Sequence, residues 1–209
     1  MLILSTETTN PFKMKRTAAL IATAVATLAL IGCFIPEKFT ATVKMASDGG
    51  YSYQYSGLTA FVPAILEMKE SGSRLSSKQE QDLQLQAGKL AKSPDVKKAS
   101  YAGNGRYEFV IAGDRKPGQP ASVLEAFRVF TDKDGLVNIT SPELKPADKA
   151  ELKKLGLQID GKLEVTLPKN AEIVFSNATS TPTFLGMFGT YSWKIGSIEQ
   201  RPMMKIRLR

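Results

Sequence analysis

Phe39-Thr40-Ala41-Thr42-Val43-Lys44-Met45 alternates apolar and polar side chains, the two-residue period of a strand with one buried face. Ser47-Asp48-Gly49-Gly50 follows as a turn cluster. Tyr51 to Val62, rich in Tyr and Thr, then reads as a second strand, with Gly57 as a bulge or bend. The two segments pair as a hairpin, so a β-sheet is established where the domain begins.

Downstream, Pro63 to Lys69 reads as a short helix ended by Ser71-Gly72-Ser73. A longer helix is expected from Lys78 to Lys92, with Ser77 and Glu80 as a capping box and Pro94 closing it. Leu83, Ala87, Leu90 and Ala91 share one face of it. Val96 to Ala102 and Arg106 to Ala112 flank Gly103-Asn104-Gly105, where Asn-Gly favours a type I′ turn. Leu124 to Thr131 carries apolar residues on both faces and reads as a central strand. Asp132-Lys133-Asp134-Gly135 turns the chain, and Leu136 to Thr140 returns. Pro146 to Gly156 is a short helix with Gly156 as its cap. Gly161 to Leu167, Ala171 to Asn177, Tyr191 to Ile195 and Met203 to Leu208 all read as strands. The expected fold is α+β, an antiparallel sheet with two or three helices packed on one face.

Upstream of the first strand, Lys13-Met14-Lys15-Arg16 precedes an apolar run from Thr17 to Ile31, then Gly32 and Cys33, the only cysteine. Basic residues, a short apolar core and a small residue before a break have the form of a secretory signal. Leu30-Ile31-Gly32-Cys33 resembles the lipobox of bacterial lipoproteins. That resemblance implies that the cysteine thiol carries diacylglycerol such as a palmitate diester, that the chain is cut just before it, and that the new amino terminus is usually acylated too. The expected division is a signal peptide over 1–32, a lipidated linker over 33–37 stiffened by Pro36, and one domain over 38–209. Two rival readings stand beside it. Thr17 to Ile35 approaches the roughly 20 apolar residues of a membrane-spanning helix, although its threonines and alanines make it only mildly hydrophobic. A lone cysteine also packs as a small core hydrophobe. Met14 is an alternative start to Met1, since Thr8-Thr9-Asn10-Pro11 is unlike a signal beginning.

Removing the leader leaves about 175 residues, enough for one domain with a sizeable core. With 43% hydrophobic and 23% charged residues the chain has the composition of a globular protein. Histidine is absent, which removes the usual general base, metal ligand and pH switch together. Zinc sites of the Cys/His kind are excluded, and no intramolecular disulfide can form. The net charge of +8 makes nucleic acid the reflex partner, but a secretion signal argues against it. Anionic headgroups or envelope polymers fit better, with simple solubility as the plainer reading.

Asp132-Lys133-Asp134-Gly135 resembles the opening of a calcium loop, yet Asn138 and Thr140 are followed only by Ser141-Pro142, so a hairpin turn is the expectation. Glu67/Glu70 and Glu80/Asp82 lie beside lysines as solvated helix faces. Ser93-Pro94-Asp95-Val96-Lys97 has the wrong spacing for a Ser-x-x-Lys nucleophile. Asn138-Ile139-Thr140 and Asn177-Ala178-Thr179 match glycosylation sequons only by chance in a bacterial lipoprotein. No catalytic residue, metal ligand or cofactor is expected. Phe184, Leu185, Met187, Phe188, Tyr191 and Trp193 gather around Gly186 and Gly189. Such a segment forms the mouth of an apolar pocket or dips toward a bilayer, or else tucks against the sheet with Trp193 as a core anchor. Phe184, Met187, Phe188, Tyr191 and Trp193 are the candidate ligand or partner residues.

Asp160-Gly161-Lys162-Leu163-Glu164-Val165-Thr166-Leu167-Pro168, Asn177-Ala178 and Trp193, together with the lipobox and first hairpin, resemble small bacterial envelope lipoproteins of the LppM type. The chain departs from that group in ending on Lys205-Ile206-Arg207-Leu208-Arg209, where the group often carries a transmembrane helix. The resemblance implies a β-rich envelope lipoprotein that binds lipid or glycolipid, with no catalytic residues. The expected function is therefore a non-enzymatic domain, held at the membrane surface by lipid on Cys33, that binds a lipid, glycolipid or protein. A structural subunit of an envelope assembly is the alternative, and a Ser/Lys or carboxylate hydrolase a third reading. The expected location is the cell envelope, and the outer membrane in a host with two, since Phe34 rather than aspartate follows the cysteine.

Overall fold

The computed structural model describes residues 34–182 and 189–209. The signal segment, Cys33 and Phe184, Met187 and Phe188 lie outside the described residues. The strands are β1 (Phe34–Met45), β2 (Tyr51–Phe61), β3 (Val96–Gly103), β4 (Arg106–Arg115), β5 (Ala121–Val123), β6 (Phe127–Thr131), β7 (Val137–Thr140), β8 (Asp160–Leu167), β9 (Ala171–Ser176), β10 (Gly189–Ile195) and β11 (Met203–Leu208). The helices are α1 (Val62–Ser71), α2 (Ser77–Leu90) and α3 (Pro146–Lys154).

The α+β class is the observed one, but the single antiparallel sheet is corrected to two sheets. One has six strands in the order β10-β8-β1-β2-β4-β3, the other five in the order β5-β6-β7-β11-β9. Period-two patterning marks one apolar face per strand and cannot say how many sheets share the core. β1 and β8 also pair in parallel, from Lys38 with Asp160 to Lys44 with Thr166, across an intervening stretch that no local signal marks. After β8 the chain alternates between sheets, with β9 and β11 in the five-stranded sheet and β8 and β10 in the six-stranded one.

The core lies between the sheets. Ala41, Val43, Tyr53, Tyr55, Phe109, Leu163 and Val165 from the larger sheet join Phe127, Val129, Ile139, Met204 and Ile206 from the smaller. Tyr53 and Phe127 meet across the layers with ring centroids 6.2 Å apart. α2 extends the covering layer over β4, where the Tyr107 hydroxyl donates to the Leu83 carbonyl at 3.0 Å.

Three local expectations are corrected. The capping box of α2 is Ser76 with Gln79, one position before the expected pair. The Leu124–Thr131 strand is broken. Leu124-Glu125-Ala126 forms the turn between β5 and β6, with Leu124 at φ +48°, so Leu124 and Ala126 belong to a turn tucked inward, while Phe127 and Val129 face the core from β6. The linker over 33–37 is also corrected from Phe34 onward. β1 starts there, and Phe34 is 1% exposed, its ring 5.2 Å from Phe61 and 5.4 Å from Tyr107 and Phe109. A shift of register between Pro36 and Lys38 interrupts the alternation, which is why the periodic reading started only at Phe39. The bend assigned to Gly57 is in fact this bulge on the facing strand. Gly57 itself pairs with Phe39, where a Cβ would collide with the Lys38 carbonyl.

Candidate functional site

The first residues of β1 are flanked by two concavities separated by α3. α1 follows β2 without a loop, with Pro63 in its first turn and Gly72 closing it in the left-handed conformation at φ 62°. Ala64 and Ile65 turn inward, which leaves Val62 and Leu66, four apart, on the side toward α3. α3 begins at Pro146 and buries Leu152, with Leu155 one turn further on. Between the helices runs a groove of about 570 Å³ whose apolar wall is Ile35, Val62, Pro63, Leu66, Leu144, Leu152 and Leu155. Its polar members are the carboxylates of Glu125, Asp148 and Glu151, and no Lys or Arg is among its lining residues. Burial pushes the Glu125 carboxyl above its usual range, and Arg128 at 3.8 Å pulls the other way. Leu66 is 40% exposed and 570 Å³ falls within the span of small-molecule sites.

On the other side of α3 lies a more polar cavity of about 710 Å³, lined by Glu37, Lys38, Leu58, Arg106, Lys153, Asp160 and residues 156–159 and 196–198. Its central feature is an ion pair. Arg106 Nε donates to Glu37 Oε2 at 2.7 Å and Nη2 to Oε1 at 3.0 Å. A fork-to-fork pair of this kind directs both groups at each other, while Lys38, Lys153 and Asp160 add further charge to the lining.

Of the candidate residues read from the sequence, Tyr191 and Trp193 are described and both are core side chains of β10. Burial raises the Tyr191 hydroxyl above its ordinary pKa. Trp193 Nε1 donates to Asn177 Oδ1 at 2.8 Å, and the same oxygen accepts from the Met203 amide at 2.8 Å. Trp193 thus ties the two sheets together, and Asn177 of the chance sequon is a structural acceptor. Trp193 also borders an open hollow of about 370 Å³ with Thr40, Lys162 and Lys194, but neither aromatic lines the apolar groove. Both side chains are buried in β10, and the other three candidates, Phe184, Met187 and Phe188, lie outside the described residues. The groove residues were missed because none is unusual in type. Their only sequence signal is the same-face spacing of Val62 with Leu66 and Leu152 with Leu155.

Asp132 is spent on its own turn, accepting from the amides of Asp134 and Leu136 and from Asn138 Nδ2. Those bonds hold its carboxyl below the usual carboxylate range. Among the described residues no cluster of acidic or cysteine side chains is placed to hold a metal ion, and no helix is long and apolar enough to cross a membrane. The chain matches no protein-family model and no curated protein sequence.

Proposed function

We propose that the protein is a lipid-anchored envelope protein, tethered through Cys33, whose non-enzymatic domain binds acyl lipid in the groove between α1 and α3. The observation that carries this reading is the position of the groove. Ile35 is part of its wall, so the apolar surface lies two residues from the proposed attachment point. Each methylene removed from water contributes about 0.8 kcal/mol, so covering eight of them gains about 6 kcal/mol before ordering costs. The lipobox-like sequence supports the anchor, and the apolar wall supports the ligand class.

Metabolic labelling with palmitate and envelope fractionation, comparing the natural chain with Cys33→Ser, test the anchor. Labelling and membrane retention are expected only for the former, and equal behaviour overturns it. Binding of dioctanoylglycerol to full-length Cys33→Ser, read by native mass spectrometry, tests the groove. Binding is expected and should be lost in the Leu155→Asp form, while no binding to the parent overturns the lipid reading.

A second reading, a subunit of an envelope assembly, draws on β9. It is an edge strand whose Val174 and Phe175 are each 46% exposed, and an open, apolar edge is a template for pairing with another strand.

A further inference from the structure

The groove has an apolar wall and an acidic rim, an unusual pairing for a lipid site. Glu125, Asp148 and Glu151 line it, and the cations paired with two of them, Arg128 at 3.8 Å from Glu125 and Lys154 at 2.7 Å from Glu151, are not among the lining residues. A phospholipid with a phosphate, or a free fatty acid, would bring an anion against that rim, which like charges disfavour. The acyl carrier that suits it is neutral at its head. A diacylglycerol joined to a cysteine by a thioether has only ester and thioether groups there, and an unacylated cysteine amino group beside it would be cationic. The chain outside the described residues ends where this carrier would be needed. Phe34 is the first described residue and is locked in the core, and Ile35 is in the groove wall. Cys33 precedes Ile35 by two residues, and two residues of chain span at most about 7 Å.

On the reading that Cys33 is acylated, we infer that the groove between α1 and α3 is the seat of the protein's own lipid, taking up an acyl chain of the Cys33 diacylglycerol. The consequence is an anchor of adjustable strength. Two chains in a bilayer hold a protein stably, whereas one chain gives only marginal, reversible binding. A domain that withdraws one chain of a two-chain anchor would shift from the first condition to the second, whereas with the new amino terminus also acylated it would leave two chains in the bilayer.

The test uses a single reporter thiol. Once Cys33 is in a thioether, Leu66→Cys supplies the only free thiol in the chain. Acylated Leu66→Cys protein in phosphatidylcholine vesicles is compared with the Cys33→Ser/Leu66→Cys form, each alkylated by N-ethylmaleimide. A seated chain is expected to slow alkylation about tenfold or more, because a covered thiol reacts only when exposed. Lys38→Cys, exposed on β1 and lining the other cavity, corrects for shielding by the vesicle and should change far less. Equal protection at both positions, or equal rates at Leu66→Cys with and without the lipid, overturns the inference. Protection of the Cys33→Ser/Leu66→Cys form by phosphatidylglycerol vesicles also overturns it, since the groove would then accept anionic membrane lipid. An intact mass lacking diacylglycerol on Cys33 overturns the anchor reading itself. Dioctanoylglycerol binding equally well to acylated and Cys33→Ser protein overturns only the self-occupancy.

Discussion

Asp95 sits in the turn between α2 and β3 with φ +64°. Its Oδ2 accepts from the Tyr53 hydroxyl at 2.9 Å and from Arg115 Nη2 at 2.6 Å, while the Arg115 guanidinium lies 5.2 Å from the centre of the Tyr53 ring. These bonds, that from Arg115 first, hold the Asp95 carboxyl below its ordinary pKa. A carboxyl depressed in the folded state adds stability above its unfolded pKa, and that stability is lost as pH falls through the folded value. Asp95→Asn is expected to cost about 1–2 kcal/mol at neutral pH. It should also flatten the loss of stability below about pH 4, checked by urea unfolding across that range. Gly161 makes a different residue-scale point. A Cβ there would collide with the Phe39 ring, so Gly161→Ala is expected to cost about 1–3 kcal/mol. Combined with Phe39→Leu, it should cost less than the two changes summed, a coupling that a double-mutant cycle measures directly.

At the scale of elements, local chemistry was largely readable. Asn104 and Gly105 carry φ of 50° and 70°, as the Asn-Gly signal requires of a type I′ turn, and β3 and β4 flank them in the expected places. The start of α2 was readable to within one residue. Ser76 and Gln79 cap it reciprocally, at 2.8 Å from the Ser76 amide to Gln79 Oε1 and 3.3 Å from the Gln79 amide to Ser76 Oγ. Ser76→Ala should therefore destabilise by about 1 kcal/mol, and Ser77→Ala by much less, a contrast visible in thermal melts of the two forms. The β5–β6 turn was not readable, because Leu124 occupies a left-handed conformation with no glycine or asparagine to announce it. The Asn177–Trp193 tie shows a longer-range limit. The two residues are sixteen apart, Trp193 in β10 of one sheet and Asn177 just past β9 of the other, so only folding reveals that Asn177→Ala would strand a buried indole donor, at about 1–3 kcal/mol by denaturant unfolding.

For the whole molecule, the point of entry of the chain matters most. Phe34 packs among Phe61, Tyr107 and Phe109, and Glu37 closes an ion pair with Arg106. A chain beginning at Lys38 is expected to lose about 3–5 kcal/mol for the aromatic ring alone. A chain beginning at Phe34 should melt about 6 °C or more higher than it. The same arrangement leaves no linker between the end of the described chain and β1, and the proposed seating of the lipid in the groove rests on that.

The sequence by itself determined the α+β class, most strand positions, the three helices and the exclusion of histidine chemistry, because these follow from local periodicity, capping and composition. The tertiary structure decided the division into two sheets, the parallel pairing of β1 with β8 and the burial of Tyr191 and Trp193. It also decided the groove beside Ile35. Each depends on which apolar faces meet across long stretches of chain, and the period of a strand does not encode its distant partner.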